Sequence, residues 1–552
     1  MSNAMNRKSA DTIFASAAAA LFAAAVTAAE YHWDNGGTDG KWATGANWYS
    51  TEADNTPPQD DDTANIGSTG YAGTATGVVD QAGAVANYIK VGYNSNTKGT
   101  LVVAGGSLDA KDKIEVGVSG LGRLVLSNGT LRATNYITIA TQVGKPGGTI
   151  EVAGGLMETS YLYVGNNALG TMTQSGGTNR ITKKAFINYN AAGLGTYELS
   201  GGLFNPAIMD IGVNGTGTLF QTGGVLENVG QTTLGANSNS VGRYILENGT
   251  LTSLSLYVGN YGHGVFTQTG GTNTIGMFLV IPRYYTGVYN MWGGVMFVGT
   301  NGSSTSYMCP GFAGVEGTFN FGTTNTSGVI RQAPGSTNSA IYIGYLEGGK
   351  GTFRGWGLSE LNGSIRNNGS VVADGYGTDR DLDFSRMAGL QANNLANAGG
   401  NGWYAQDHGR LLLPPVTAGN PVYWGELSNQ DLVNSVKMAL TGSGTVTGAL
   451  LAVDHALVNS GLHKPVGVWE FAGGSGVTGG QLTFLYDAAR VAAMNVDESR
   501  LLVWRHNGAS WVNVTAAGGL DTGANTIRTA TGNPFGQFAV APAVQGTMIR
   551  IQ

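Results

Sequence analysis

The chain has 552 residues, 90 of them glycine, with 42% apolar and 12% charged residues and a formal net charge of −6. Glycine at about twice its ordinary usage, without a Gly-X-Y period, excludes collagen, and the wealth of Ile, Val, Tyr and Phe excludes a disordered tract. The acidic balance, with no basic run, argues against nucleic acid as a partner, and the length allows two or three domains, or one elongated body with a module.

Residues 1–4, followed by a second methionine at Met5, read as an expression-tag scar. Residues 5–29 read as a secretory signal peptide, because Arg7 and Lys8 precede an apolar stretch (13–26) and the small residues Thr27, Ala28 and Ala29. A membrane anchor is the competing reading. No second apolar stretch reaches the ~18 residues of a membrane span, so we expect a secreted or cell-surface chain with no transmembrane segment after cleavage. The single cysteine, Cys309, can form no internal disulfide and reads as a small buried hydrophobe.

Residues 30–80 carry two phrases expected to cap a repeat body, YHWDNGGTDGKWATGANW (31–48) and PPQDDDTANIG (57–67). The repeat itself follows, over 81–375. Segments ending in Gly-Gly or Asn-Gly recur with the second glycine at 106, 129, 155, 177, 202, 224, 249, 271 and 294. Such a period, with alternating apolar positions and few helix formers, marks a β-solenoid. A longer 47-residue period, seen in GTMTQSGGTN (170–179), GTLFQTGGVL (217–226) and GVFTQTGGTN (264–273), comes from a second turn that is alternately longer and shorter.

Aligning on the second glycine gives three inward columns, because strand residues alternate faces. Five residues before it stand Leu101, Leu124, Ile150, Met172, Tyr197, Leu219, Tyr244, Phe266 and Tyr289; two after it, Leu108, Leu131, Met157, Asn179, Phe204, Leu226, Leu251, Asn273 and Met296. Three before it, Gln174, Gln221 and Gln268 alternate with aliphatic residues. With rungs ~4.8 Å apart, glutamines two rungs apart cannot bond one another. Their amides are expected to bond corner backbone groups. The second glycine should supply a positive φ at the corner, with Asn128 and Asn248 tolerating that conformation where they replace a glycine. In the outward column three after the glycine, Asp109, Arg132, Glu158 and Arg180 alternate in sign and should form a charge ladder.

The cap phrases leading into glycine-rich rungs resemble exported bacterial β-helix surface proteins of the autotransporter-associated-repeat and PEP-CTERM type. Trp42, Asn47, Trp48, Asp62, Ala64 and Ile66 carry the likeness. It implies a right-handed parallel β-helix displayed at or shed from the cell surface, in a family that usually has no enzymatic assignment. The chain lacks that family's β-barrel translocator and PEP membrane tail. The expected fold is all-β: a right-handed parallel β-helix of about 10–12 coils, each of about 22–26 residues, followed by an antiparallel β-sandwich.

Residues 376–425 read as a cap and linker. Asp379, Asp381 and Asp383 there invite a calcium site, although an EF-hand fails because Phe384 and Leu390 stand where Gly and Glu are required. Asp60–Asp62 is a second acidic cluster of that kind. From 426 to 542, short alternating strands suggest the sandwich, and 543–552 a tail. VWRHNGASW (503–511) resembles a hairpin of the carboxy-terminal module in the same class of proteins, with Asn-Gly at its turn.

Polysaccharide lyases and glycoside hydrolases also use parallel β-helices, and hydrolysis needs two carboxylates in one groove. Glu151 and Glu198 share a column two rungs apart, but Thr173 separates them and no His or Arg stands in that column. His263 lies in a short glycine-rich turn without companion acids in a catalytic pattern, His408 has acids nearby but sits in the capping segment, and Glu158 reads as a rung of the charge ladder. The leading expectation is a non-enzymatic scaffold or spacer without a cofactor. The alternative is an adhesin or carbohydrate-binding rod that meets polysaccharide or cell-surface glycans through turn aromatics: Tyr257, Tyr261, Tyr284, Tyr285, Trp292 and Trp356, with Tyr161 and Tyr163 similarly placed. The two differ in one visible respect, since an adhesin should present a contiguous aromatic patch along one side of the rod.

Overall fold

A computed structural model describes residues 28–543 other than 52–54, 70–73, 300–305, 323–327, 335–338, 345–349, 356, 362–364, 368–369, 374–380, 384–402, 407–409, 418–425, 429–430, 434 and 455–456. The tag scar, the signal region to residue 27, Trp356, Asp379 and His408 therefore lie outside the described residues.

Parallel strands stacked in register build a β-solenoid of about 11 turns. Each typical coil supplies two strands. Leu169–Gln174 lies between Gly148–Val152 and Leu194–Leu199, with Gly170 opposite both Gly148 and Gly195. Thr178–Ile187 lies between Leu156–Val164 and Leu203–Ile211. A register shift between Ile181 and Lys184 bends this second strand, so the coil has three faces: face A (169–174), face B before the shift and face C after it.

All three inward columns are buried, from Leu101 to Tyr289, from Leu108 to Met296, and through the glutamines. Gln174 donates from Nε2 to the Leu203 carbonyl at 2.9 Å, Gln221 to Thr250 at 3.0 Å and Gln268 to Val295 at 3.2 Å, while each also reaches a corner glycine carbonyl. The corner role read from the sequence is therefore met. Each Oε1 in turn accepts from the phenol one rung on: Tyr197, Tyr244 and Tyr289. Asn179 and Asn273 donate to the Tyr197 and Tyr289 hydroxyls, both at 2.9 Å. A Gln–Tyr pair thus recurs at 47-residue spacing, extended by an asparagine in the first and third repeats, where the second carries Leu226.

From Gly129 to Gly294 the second corner glycine has φ between 63° and 86°. A Cβ on Gly177 would sit 2.6 Å from backbone atoms of Gly154 and Gly155 on the preceding rung, so close stacking and positive φ both select glycine. Asn128 and Asn248 do not take that conformation. They occupy the preceding position, and their Oδ1 atoms accept from the N–H groups of Gly129 and Gly249 at 2.8 Å. Asparagine is favoured there as a side-chain acceptor, which corrects the turn role expected from sequence.

The resemblance-bearing residues build the amino-terminal cap. Trp33, Trp42 and Trp48 pack edge to face, with Trp48 at 4.9 Å from Trp33 and 4.7 Å from Trp42 between ring centroids. Buried Asn47 ties the loop together, donating to Asp39 Oδ1 at 2.7 Å and the Lys41 carbonyl at 2.9 Å and accepting from Gly37 N–H. Asp62 is taken up likewise, accepting from the N–H groups of Ala29 and Gln59.

At the other end, Arg410–Thr417 pairs in parallel with Asp381–Asp383 of the solenoid and antiparallel with Thr445–Leu451. Beyond it stand two antiparallel layers. One continues from Thr445–Leu451 through Gly467–Gly473 and Gly536–Pro542 to Leu501–His506 and Trp511–Asn513; the other joins Ser435–Gly442, Val477–Leu485, Thr526–Thr529 and Thr515–Asp521. Trp469 and Phe538 of the first layer meet Phe484 of the second at 4.7 and 6.1 Å. The VWRHNGASW hairpin pairs His506 with Trp511, and Asn507 Oδ1 accepts from the N–H groups of Ala509 and Ser510, so its loop has four residues, 507–510.

Two outcomes follow from these contacts. Hydrogen bonds from Thr44, Lys41 and Asn47 hold the Asp39 carboxyl down to about 2 from its usual 3.8. The folded value lies below the unfolded one, so its contribution is complete above pH 3.8 and is lost as pH falls towards about 2; cap tryptophan fluorescence should change in that window, and Asp39→Asn should flatten the response. Secondly, Tyr289→Phe strands both Gln268 Oε1 and Asn273 Nδ2, whereas Tyr244→Phe strands only Gln221 Oε1. Each stranded group costs ~1–3 kcal/mol, so thermal unfolding should start lower in Tyr289→Phe than in Tyr244→Phe, and both below wild type.

Candidate functional site

Face C carries a feature that no single rung of sequence displays. Its strands are anchored inward by residues such as Ile137, Leu162 and Ile187, all fully buried, so alternation turns Tyr136, Tyr163 and Phe186 outward. The parallel register aligns Glu115, Thr138, Tyr163, Phe186, Asp210, Thr233 and Tyr257 in one column. Stacking does the rest: residues far apart in the chain become neighbours ~4.8 Å apart.

The aromatic part is continuous. Tyr163 stacks on Phe186 at 4.9 Å and 16°, and meets Tyr136 and Tyr189 edge to face at 5.9 and 5.1 Å. Towards the amino terminus, Lys113 lies over the rings of Tyr136 and Tyr88, at 5.4 and 4.2 Å, and Lys90 lies over Tyr88 and Tyr93, at 4.6 and 4.7 Å. His32 continues the line, 6.1 Å from Tyr93. Burial lowers its pKa and favours the neutral ring.

A groove of about 350 Å³ opens here, lined by Glu115, Tyr136, Thr138, Thr141, Tyr163, Asn166, Tyr189 and Asn190. Its charges are matched internally: Lys113 lies 3.8 Å from Glu115, and Lys184, beside Phe186, lies 2.6 Å from Asp210. Tyr136 donates to Glu115 at 3.2 Å, and Asn190 donates to Asn166 and Asn167 at 3.0 Å. Thr138 is buried in the groove floor with its hydroxyl unpartnered. Burial raises the Tyr136 and Tyr163 pKa values, helped at Tyr136 by the Glu115 carboxylate against Lys113 and at Tyr163 by the neighbouring phenols. Near neutral pH the groove therefore presents protonated phenols, ring surfaces and amides.

The turn aromatics named from the sequence divide into separate places. Tyr261 stacks on Tyr284 at 4.8 Å, and the Arg283 guanidinium lies over Tyr257 and Tyr284 at 5.3 and 5.0 Å. Tyr285 meets His263 at 4.8 Å, and His263 Nδ1 pairs with the Thr286 hydroxyl. Tyr261, Tyr284 and Tyr285 are exposed, and with half-buried Tyr257 they form one patch. Trp292 is exposed at the far end of Thr286–Met291, at the opposite corner from the patch. Of the acidic triplet, Asp381 and Asp383 fall on one short strand, and Asp383 is half-buried. Among the described residues no three His, Cys, Asp or Glu side chains come together in a metal-binding group.

The charge ladder forms in part. Glu158 lies 3.7 Å from Arg132 and 3.3 Å from Arg180, but Asp109 bonds Lys111 at 2.7 Å rather than extending the series. Glu151 is held by Arg123 of the neighbouring column at 2.6 and 2.7 Å, which sequence columns alone do not reveal. No protein-family model, curated protein or solved structure matches the chain.

The groove's phenols give a direct check. Tyr136→Phe and Tyr163→Phe should each remove a phenol that ionises above the usual value of 10, seen as a lost high-pH step in ultraviolet titration. Loss of an ordinary step instead would mean that the rings are not packed as described.

Proposed function

We propose that the chain is an exported β-solenoid rod that binds carbohydrate along face C. The observation that carries this reading is the continuous strip from Tyr93 to Tyr189, rings alternating with Lys90 and Lys113 at its start and packed ring on ring from Tyr136, around a groove whose charges are internally matched. Sugars offer apolar C–H faces and many hydroxyls, so they suit rings set among amides and phenols, and a paired lysine and carboxylate leave little net field to select for ionic ligands. The resemblance of the caps to exported surface proteins agrees with such a location. Catalysis forms no part of the reading: Glu151 and Glu158 are engaged by arginines on other faces.

The spacer reading has its own support, because the rings contact one another and also cover the sheet. Residues 30–552, tested against a polysaccharide panel with and without calcium, separate the two. Saturable binding should appear and fall at least tenfold in Tyr163→Ala and in Tyr189→Ala, with the far-ultraviolet spectrum unchanged. Binding to nothing in the panel, or binding indifferent to both substitutions, would leave the rod as a scaffold.

A further inference from the structure

The groove and the exposed tyrosine patch lie on the same edge of the solenoid, and a line of amides connects them. Each coil turns from face C to face A at a left-handed residue, among them Ala140, Gly165, Asn188, Gly212, Gly235 and Gly259. Two positions beyond those residues stand Gln142, Asn167, Asn190, Asn214, Asn237 and Tyr261. The amides bond from rung to rung: Asn190 donates to Asn167 at 3.0 Å, Asn214 to the Tyr189 carbonyl at 2.9 Å and Asn237 to Asn214 at 2.9 Å. Asn214 and Asn237 are exposed, so this line is open to solvent between the two aromatic clusters. Beside it run Phe186, Asp210, Thr233 and Tyr257, the last already in the tyrosine patch.

Both ends also hold an unsatisfied buried oxygen. Thr138 Oγ1 has no partner in the groove floor, and Asn260 Oδ1 has none at the edge of the tyrosine patch. Unpaired buried polar atoms are uncommon and costly, and a hydroxyl-rich ligand settling into either cluster could complete them. Arg283 adds donors at the far end. Its guanidinium lies over both Tyr257 and Tyr284, and no carboxylate among the described residues lies within ion-pair distance of it.

Resting on the carbohydrate reading above, we infer that the ligand is a linear polysaccharide of neutral sugars lying parallel to the rod axis, gripped by the groove at Tyr163 and Tyr189 and again by the patch at Tyr261 and Tyr284, with the asparagine line between them. The register argues for this direction. From the rung of Tyr163 to that of Tyr257 is four steps, or ~19 Å, and from Tyr136 to Arg283 about six, or ~29 Å. A chain crossing the rod instead would leave one cluster empty. A chain along it meets a side-chain repeat at every rung, a spacing close to the length of one sugar ring. Filling both clusters with one molecule makes the second contact intramolecular, so affinity should climb sharply once the oligomer spans them, by about a hundredfold.

The test uses residues 30–552 and cello-, xylo- and manno-oligosaccharides of two to eight sugars, with oligogalacturonates as the charged counterpart, by titration calorimetry. Affinity in at least one neutral series should rise steeply near six sugars. The double variant Tyr261→Ala/Tyr284→Ala should lose that rise while keeping trisaccharide affinity; Asn214→Ala/Asn237→Ala should lose part of it. Tyr163→Ala/Tyr189→Ala should lose the short oligomers too. Affinity that is flat beyond three sugars, or indifference to the Tyr261/Tyr284 pair, would overturn the axial track, and tighter binding of the oligogalacturonates would overturn the choice of neutral sugars, each leaving the groove as a carbohydrate site. Binding of no oligomer or polymer would overturn the carbohydrate reading itself.

Discussion

Parallel stacking in register is the constraint on which everything else rests. Each backbone is hydrogen-bonded to the coils on either side, so a residue at a given point of one coil lies beneath its counterpart on the next. At the corners the backbones approach so closely that a side chain is excluded, as at Gly177. The same rule that demands glycine at corners turns every other position into a column. Interior columns then need compatible shapes and satisfied polar groups. The Gln–Tyr–Asn chains meet most of that need by bonding across rungs as well as to the corners, leaving the Oδ1 atoms of Asn179 and Asn273 unpartnered.

The interior was legible in the sequence because a single corner marker, the Gly-Gly pair, lies within five residues of each inward column on face A and of the first on face B. Face C was not, since the register shift seen between Ile181 and Lys184, and at varying positions in other coils, breaks the count from that marker. Counting from the second turn restores it, and the column Glu115, Thr138, Tyr163, Phe186 then emerges. Tyr161 and Tyr163 were visible as turn aromatics, but their packing with Tyr136, Phe186 and Tyr189 depends on which rungs abut. Asn128 and Asn248 show a second kind of limit. The residue type signals a corner correctly, while its role there, side-chain acceptor rather than left-handed backbone, depends on one φ angle. Asp109 shows a third, because a nearer cation, Lys111, outcompetes the one a rung away.

The faces differ in what they offer a partner. Face B carries Arg132, Glu158 and Arg180 in mutual neutralisation, and face A carries Arg123 closed on Glu151. On face C, Lys113 and Lys184 are likewise closed on carboxylates, but rings and amides stand among them. A repeat architecture makes such division easy. A substitution on one outward column is felt mainly by its neighbours on that column, so one face can gain aromatics while the interior columns stay fixed.

The strand Arg410–Thr417 is hydrogen-bonded to the solenoid along one edge and to the sandwich along the other. Such a joint behaves mechanically unlike a flexible tether. A load applied to the carboxy-terminal module meets the rod through paired backbones. Sliding the strand along its length would have to break the six pairings from Arg410↔Leu451 to Thr417↔Thr445 together, whereas a linker would simply straighten. The path from the module to the stack of coils thus runs through paired backbone at this strand.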